Sequence, residues 1–173
     1  MDKLIPDMYQ KSIYHIDYEK LKSDGIKCLL FDLDNTCVPT KEKNPNKKLI
    51  EQFDKLKDLG FKVIIFSNAG KKRLKPFKKT LDVDCSYSSR KPLRGKFNKI
   101  MKKFGYDLSE TAIIGDQIFT DILGGNKVGI KTILINPMSS YDLPITKISR
   151  VLERKVMKKM SKKGILTKGK YYE

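Results

Sequence analysis

CLLFDLDNTCVPT, residues 28–40, sets the frame for reading the rest of the chain. Cys28, Leu29, Leu30 and Phe31 make a short apolar run, and Asp32 and Asp34 follow with Leu33 alone between them. A strand covered on both faces reads as continuous apolar sequence, whereas a half-exposed strand alternates. Side chains two apart on a strand share a face, so the two acids are expected to be near neighbours. Such a pair repels unless one member is protonated or a cation sits between them. The stretch therefore reads as a buried strand that delivers two carboxylates to a site.

The same pattern recurs along the chain. Strands are expected at 26–33, 61–67, 84–87, 111–116 and 131–137. Between them, NKKLIEQFDKLKDLG (46–60) places Leu49, Ile50, Phe53 and Leu56 on one helical face, with Gly60 as the stop. GKKRLKPFKKTL (70–81) reads as a helix started or interrupted by Pro76, RGKFNKIMKKFG (94–105) as another, and TDILGGNKVG (120–129) as a short one. Alternating strands and helices with short links imply right-handed crossovers and a three-layer, Rossmann-like α/β fold on a parallel sheet. At 173 residues and 39% hydrophobic, the chain suits one domain. It divides into an N-terminal extension (1–25), a catalytic core (26–137) and a basic C-terminal helix and tail (138–173).

Composition narrows the setting. No stretch approaches the roughly 18 apolar residues of a membrane span, and MDKLIPDMYQ lacks the apolar centre of a secretory signal. Cys28, Cys37 and Cys85 form no CxxC spacing, which argues against a disulfide frame or a zinc site. A reducing, cytoplasmic location is the expectation. The net charge of +17 points to an anionic partner, whether nucleic acid, anionic lipid or phosphorylated substrate; a generally lysine-rich composition is the plainer alternative. Basic residues concentrate in 71–79, 90–103 and 147–170.

Three of the expected strands end in polar chemistry: Asp32 and Asp34 after the first, Ser67 and Asn68 after the second, Asp116 after the fourth. In an open parallel sheet the carboxyl ends of the strands line one edge, where ligands bind. An oxygen-only cluster suits a hard cation, Mg²⁺ above all. One carboxylate is then left for chemistry as a nucleophile toward phosphate, with Lys91 and the Ser67 hydroxyl to offset charge.

DLDNT (32–36), SNA (67–69), RKP (90–92) and GDQIFTD (115–121), in this order, resemble the four motifs of the haloacid dehalogenase (HAD) superfamily. SIYHIDYEKLKSDGIKCLLFDLDNT and KISRVLERKVMKKMSKKG resemble the YqeG-type phosphatases of subfamily IIIA, distant relatives of mitochondrial phosphatidylglycerophosphate phosphatases. The resemblance implies a Mg²⁺-dependent phosphatase with Asp32 as nucleophile. Asp34 would be the general acid and base, touching the metal through its backbone carbonyl. Ser67, Asn68 and Lys91 would bind the phosphoryl group, and Asp116 would hold the metal with Asp32. Thr36 would order the turn, and Asp121 would support the site from behind, a helix N-cap being its plainer role.

Only 30 residues separate DLDNT from SNA and 20 separate SNA from RKP, so no cap domain is expected over the site. An open site favours partners that cover it themselves, and a phosphatidylglycerophosphate-like lipid is the expected substrate. A small phosphometabolite, a nucleotide, or a nucleic-acid- or ribosome-binding role are the alternatives. Ile148, Val151, Leu152, Val156 and Met160 are expected to form the apolar face of the C-terminal helix. Its lysines would then be solvated or lie on the inner face of an anionic membrane. His15, the Gly124–Gly125 pair and Tyr9, Tyr14 and Tyr18 read as structural.

Overall fold

The computed structural model describes residues 2–140 and 144–173, with backbone alone for 144–148. Six strands, β1 (Met8–Gln10), β2 (Cys28–Phe31), β3 (Lys62–Phe66), β4 (Asp84–Ser86), β5 (Thr111–Gly115) and β6 (Lys131–Ile135), form one sheet in the order β1-β6-β5-β2-β3-β4. All neighbours are parallel. The helices are α1 (Tyr18–Ser23), α2 (Lys47–Asp58), α3 (Lys71–Leu81), α4 (Arg94–Phe104), α5 (Leu123–Val128) and α6 (Pro144–Lys162).

Strand side chains divide between two cores with period two. Leu29, Phe31, Val63, Ile65, Ala112 and Ile114 meet Leu49, Phe53 and Leu56 of α2 and Leu74, Phe77 and Leu81 of α3 on one face. Cys28, Leu30, Ile64, Phe66 and Ile113 meet Phe97, Ile100 and Met101 of α4 on the other. This is why the strands carry no polar face: both sides are covered. The chain runs from β2 outward through β3 to β4, then returns to β5 beside β2 and continues to β6. The direction of winding reverses between β2 and β5, and a crevice opens there at the carboxyl ends of the strands.

Several expectations are revised. The N-terminal stretch set outside the core supplies β1, which pairs with β6, and Tyr9 also exchanges backbone hydrogen bonds with Tyr172. MYQ carries no strand signature of its own; its pairing is wholly non-local. Helix α3 runs through Pro76 without a break, although proline at its sixth position removes the bond to the carbonyl of exposed Lys72. The expected helix at 120–129 begins earlier, as a π-helical turn at Ile118–Ile122 that leads into α5. No cap domain intervenes: the segment between β2 and β3 holds a loop and α2, and that between β3 and β4 holds α3.

The apolar face of α6 is rotated from the expected one. Val151 and Leu152 are 43% and 49% exposed, while Glu153 is 5% exposed. Met160 is buried with Tyr9, Ile118, Ile122, Leu134 and Leu166, and Val156 and Met157 pack against that cluster. Ile148 lies outside the described side chains. The tyrosines pack as expected: Tyr9 and Tyr18 are buried, and Tyr18 donates to the Ile13 carbonyl. Gly124 and Gly125 also serve packing. A Cβ on Gly125 would lie 2.5 Å from Thr132 Cγ2 and 2.7 Å from Ile113 Cγ2, so α5 can rest this close to the sheet only without one. The three cysteines are unbridged.

Candidate active site

Asp32 follows β2 and Asp116 follows β5, so the switch point brings them together across the crevice. Carboxylate oxygens of Asp32, Asp116 and Asp121 all lie within 4.8 Å of one another, and all three residues are buried. Asp121 is carried there by the π-helical turn after β5. A Cβ on Gly115 would sit 2.2 Å from the Asp121 carboxyl carbon, so glycine at the end of β5 is what lets Asp121 fold back over the strand.

Two cations enter this cluster. Lys91 Nζ donates to Asp32 Oδ1 and to Asp121 Oδ1, each at 2.7 Å, with its side chain only 2% exposed. Arg150 of α6 donates to the Asp116 carbonyl at 2.8 Å and to Asp116 Oδ2, and reaches Glu153 at 3.0 Å. Three carboxylates thus meet two cations, leaving a negative balance. Burial, the largest cause, raises the carboxyls of Asp116 and Asp121 above the usual range. Arg150 and Lys91 oppose this, and Asp32 adds to it. Burial would lower Lys91, but Asp121 and Asp32 outweigh it and hold the ammonium charged. Thr36 Oγ1 lies 3.2 Å from Asp116 Oδ1 and 3.4 Å from Asp32 Oδ2, linking the two strand ends.

Asp34 stands apart from this cluster. The strand ends at Phe31, so its side chain turns toward Arg73 of α3, which donates to Asp34 Oδ1 from Nη2 at 2.8 Å and from Nε at 3.1 Å. The cation that stabilises the second acid is therefore an arginine on its far side. Burial raises the Asp34 carboxyl, with Arg73 pulling the other way. Arg73 was hidden within a basic run that sequence reading treats as a diffuse field.

Ser67, buried after β3, accepts from the Ala69 N–H at 3.1 Å. Among the described residues its own proton has no acceptor, so it can donate to a ligand. Asn68 clamps the backbone of Lys91: its Oδ1 accepts from the Lys91 N–H at 2.8 Å and its Nδ2 donates to the carbonyl at 3.2 Å. The motif asparagine thus positions the motif lysine, and its side-chain amide is already engaged. Asp121 is likewise committed, to Lys91 and to the Gln117 N–H at 3.2 Å. His15 lies at the surface with Ser12.

Solved structures share this architecture. The 3-deoxy-D-manno-octulosonate 8-phosphate phosphatase of Moraxella catarrhalis, solved with magnesium, phosphate and KDO, matches with TM-score 0.56 and 16% identity over 80% of this chain and 92% of that one. The cobalt-bound octulosonate 8-phosphate phosphatase of Haemophilus influenzae matches with TM-score 0.55 and 15% identity over 80% and 94%. The fold is that of the HAD-type phosphatases.

The model of the family described as "Mitochondrial PGP phosphatase" matches residues 1–139, and the chain belongs to that family. It is 39% identical over 160 residues to "Probable phosphatase YqeG" of Bacillus subtilis strain 168, covering 92% of this chain and 93% of the relative. It is 28% identical over 172 residues to "Phosphatidylglycerophosphate phosphatase 1, chloroplastic/mitochondrial" of Arabidopsis thaliana, spanning 94% of this chain and 49% of the plant protein. The protein is a phosphoric monoester hydrolase of the HAD type.

Proposed function

We propose that the protein hydrolyses a phosphomonoester through an aspartyl phosphate on Asp32, with Mg²⁺ as cofactor and a phosphatidylglycerophosphate-like lipid as substrate. The observation that carries the reading is the convergence of Asp32, Asp116 and Asp121 around buried Lys91 at the switch point. An all-oxygen donor set with a negative balance fits a hard divalent cation. Asp32, Asp116 and the backbone carbonyl of Asp34 would hold it. Bound there, it would supply positive charge to the phosphoryl oxygens.

The protein's own residues account for the rest. An Asp32 carboxylate oxygen attacks phosphorus, and the P–O bond to the substrate alcohol breaks. Asp34, whose raised affinity for a proton suits an acid, protonates the departing alkoxide. Now ionised, Asp34 takes a proton from water as that water attacks the phosphorus of the aspartyl phosphate. Phosphate leaves and Asp32 is restored. Lys91 and Ser67 offset the charge on the phosphoryl oxygens, and Asn68 and Asp121 hold Lys91 in place.

The lipid substrate is supported by the family's description and by an open site without a cap. The outer side of α6 adds to this, because Val151 and Leu152 project beside the exposed Lys155, Lys158, Lys159 and Lys162. Apolar groups among lysines suit peripheral contact with the inner face of an anionic membrane. Among the described residues, no helix is long and apolar enough to cross a membrane.

A phosphate-release screen with Mg²⁺ across lipid, nucleotide and sugar phosphates, with Asp32→Asn as blank, tests the reading. Lipid phosphate turned over fastest is the expected result. A preference for a sugar phosphate or nucleotide would replace the substrate. Tight RNA binding without any phosphate release would overturn the enzymatic reading.

A further inference from the structure

Arg73 stands in the first turn of α3, and its guanidinium is fixed on three sides. Nε and Nη2 both donate to Asp34 Oδ1, at 3.1 and 2.8 Å. Nη1 donates to the Glu42 carbonyl, in the loop between β2 and α2. The guanidinium carbon also lies 4.9 Å from the ring centre of buried Phe77, one helical turn on. The usual arginine–carboxylate pair is fork on fork, with one N–H to each oxygen. Here both donors converge on Oδ1, and among the described residues Oδ2 accepts no hydrogen bond. The bond to Glu42 and the stacking on Phe77 oppose any turn of the guanidinium toward Oδ2. An ion pair that served only to tie α3 to the loop would gain nothing by leaving one oxygen without a donor.

We infer that Arg73 is the positioning residue of the acid–base carboxyl: it engages one oxygen of Asp34, so that the other alone carries the proton exchanged with the leaving group and with water. The inference rests on the acid–base role of Asp34 proposed above. An oxygen that accepts two N–H bonds has no lone pair left for a proton, so neutral Asp34 is protonated at Oδ2. That proton passes to the departing alkoxide, and Oδ2 later takes one from the attacking water. Both bonds to Oδ1 persist through the two transfers, and the carboxylate formed by the first meets a permanent positive charge. Arg73 makes no hydrogen bond to Asp32, Ser67 or Asp116; its side-chain donors go to Asp34 and Glu42. It therefore acts on the reaction through Asp34.

The test compares glycerol 3-phosphate, whose alkoxide needs a proton to leave, with p-nitrophenyl phosphate, whose phenolate needs little help. The quantity read is kcat/KM, which reports formation of the aspartyl phosphate, the step in which the leaving group departs. Arg73→Met keeps an apolar stem against Phe77 and removes the donors. It is expected to lower kcat/KM for glycerol 3-phosphate by about tenfold to a hundredfold, the usual worth of a hydrogen bond to a charged group. The loss on p-nitrophenyl phosphate should be about threefold at most. Partial unfolding would scale both substrates alike, so it leaves their ratio unmoved. In Asp34→Asn protein the further Arg73→Met change should cost less than about twofold, because its route to the reaction is gone. Equal losses on the two substrates, or the same loss in Asp34→Asn protein as in wild type, would overturn the inference and reduce Arg73 to a structural tie. Should Asp34→Asn itself slow both substrates equally, the acid role of Asp34 falls, and the inference with it.

Discussion

Lys91→Met is the most informative single perturbation of the folded state. Methionine matches the length and apolar stem of lysine but carries no charge, so the cavity stays filled. What disappears is the ammonium lying 2.7 Å from both Asp32 and Asp121, all three side chains being buried. Removing one partner of a buried ion pair costs about 3–5 kcal/mol, because the remaining charge is neither solvated nor paired. At roughly 2–4 °C per kcal/mol for a chain of this size, metal-free variant protein should melt about 10 °C below wild type at pH 8. The pH dependence follows from the acids. Burial already raises the Asp121 carboxyl and Lys91 opposes that rise, so without the ammonium Asp121 holds its proton more tightly still in the folded state than in the unfolded chain. Stability is then lost as pH rises from the unfolded carboxylate value, near 4, toward the raised folded value. The two proteins should therefore melt close together near pH 4 and diverge toward pH 8. Lysine's own titration lies above this window, since its folded value is raised. Mg²⁺ should raise the melting temperature of the variant more than that of wild type, because it meets a larger charge deficit. Calorimetry across pH, with and without Mg²⁺, reads all of this. Equal melting at pH 8 without metal would refute the account of Lys91 as the counter-charge of the cluster.

Other substitutions probe separate parts of the site. Asp116→Ala should raise the Mg²⁺ concentration needed for half-maximal phosphate release, and full activity in excess chelator would remove the metal from the account. Asp34→Asn should slow hydrolysis of an alkyl phosphate by about 10²–10⁴, within the usual range for general acid–base catalysis. It should slow p-nitrophenyl phosphate less, because that leaving group needs little proton assistance; equal losses would deny Asp34 the acid role. Gly115→Ala places a methyl group 2.2 Å from the Asp121 carboxyl, so overpacking should lower stability by about 1–3 kcal/mol and slow turnover. A variant that melts and turns over like wild type would show that Asp121 moves without cost.

The parallel sheet was legible because β2, β3, β5 and β6 are buried on both faces, and continuous apolar runs cannot easily mean anything else. The positions of Asp32, Ser67 and Asp116 followed from where those runs stop. What could not be read were contacts made by distant segments. β1 is three residues held by pairing with β6 and Tyr172. Arg73 and Arg150 join Asp34 and Asp116 across 39 and 34 residues, and in the sequence each is one basic residue among many. The rotation of α6 had the same cause. Its buried side follows Glu153, which accepts from the Phe119 N–H at 3.2 Å and from Arg150, and a polar anchor of that kind is invisible to an apolar pattern. Asn68 was found at the right place, yet its bond to the Lys91 backbone depends on the loop that returns after β4.

The central claim is that Asp32 carries the phosphoryl group, and trapping it there is the most direct measurement. Protein turning over a phosphomonoester with Mg²⁺ would be quenched in acid and treated with borohydride, which reduces an acyl phosphate to the alcohol. Peptide mass spectrometry should then find homoserine at position 32 in wild type and none in Asp32→Asn. Reduction at a different carboxylate, or phosphate release with no reducible acyl phosphate anywhere in the chain, would contradict the account.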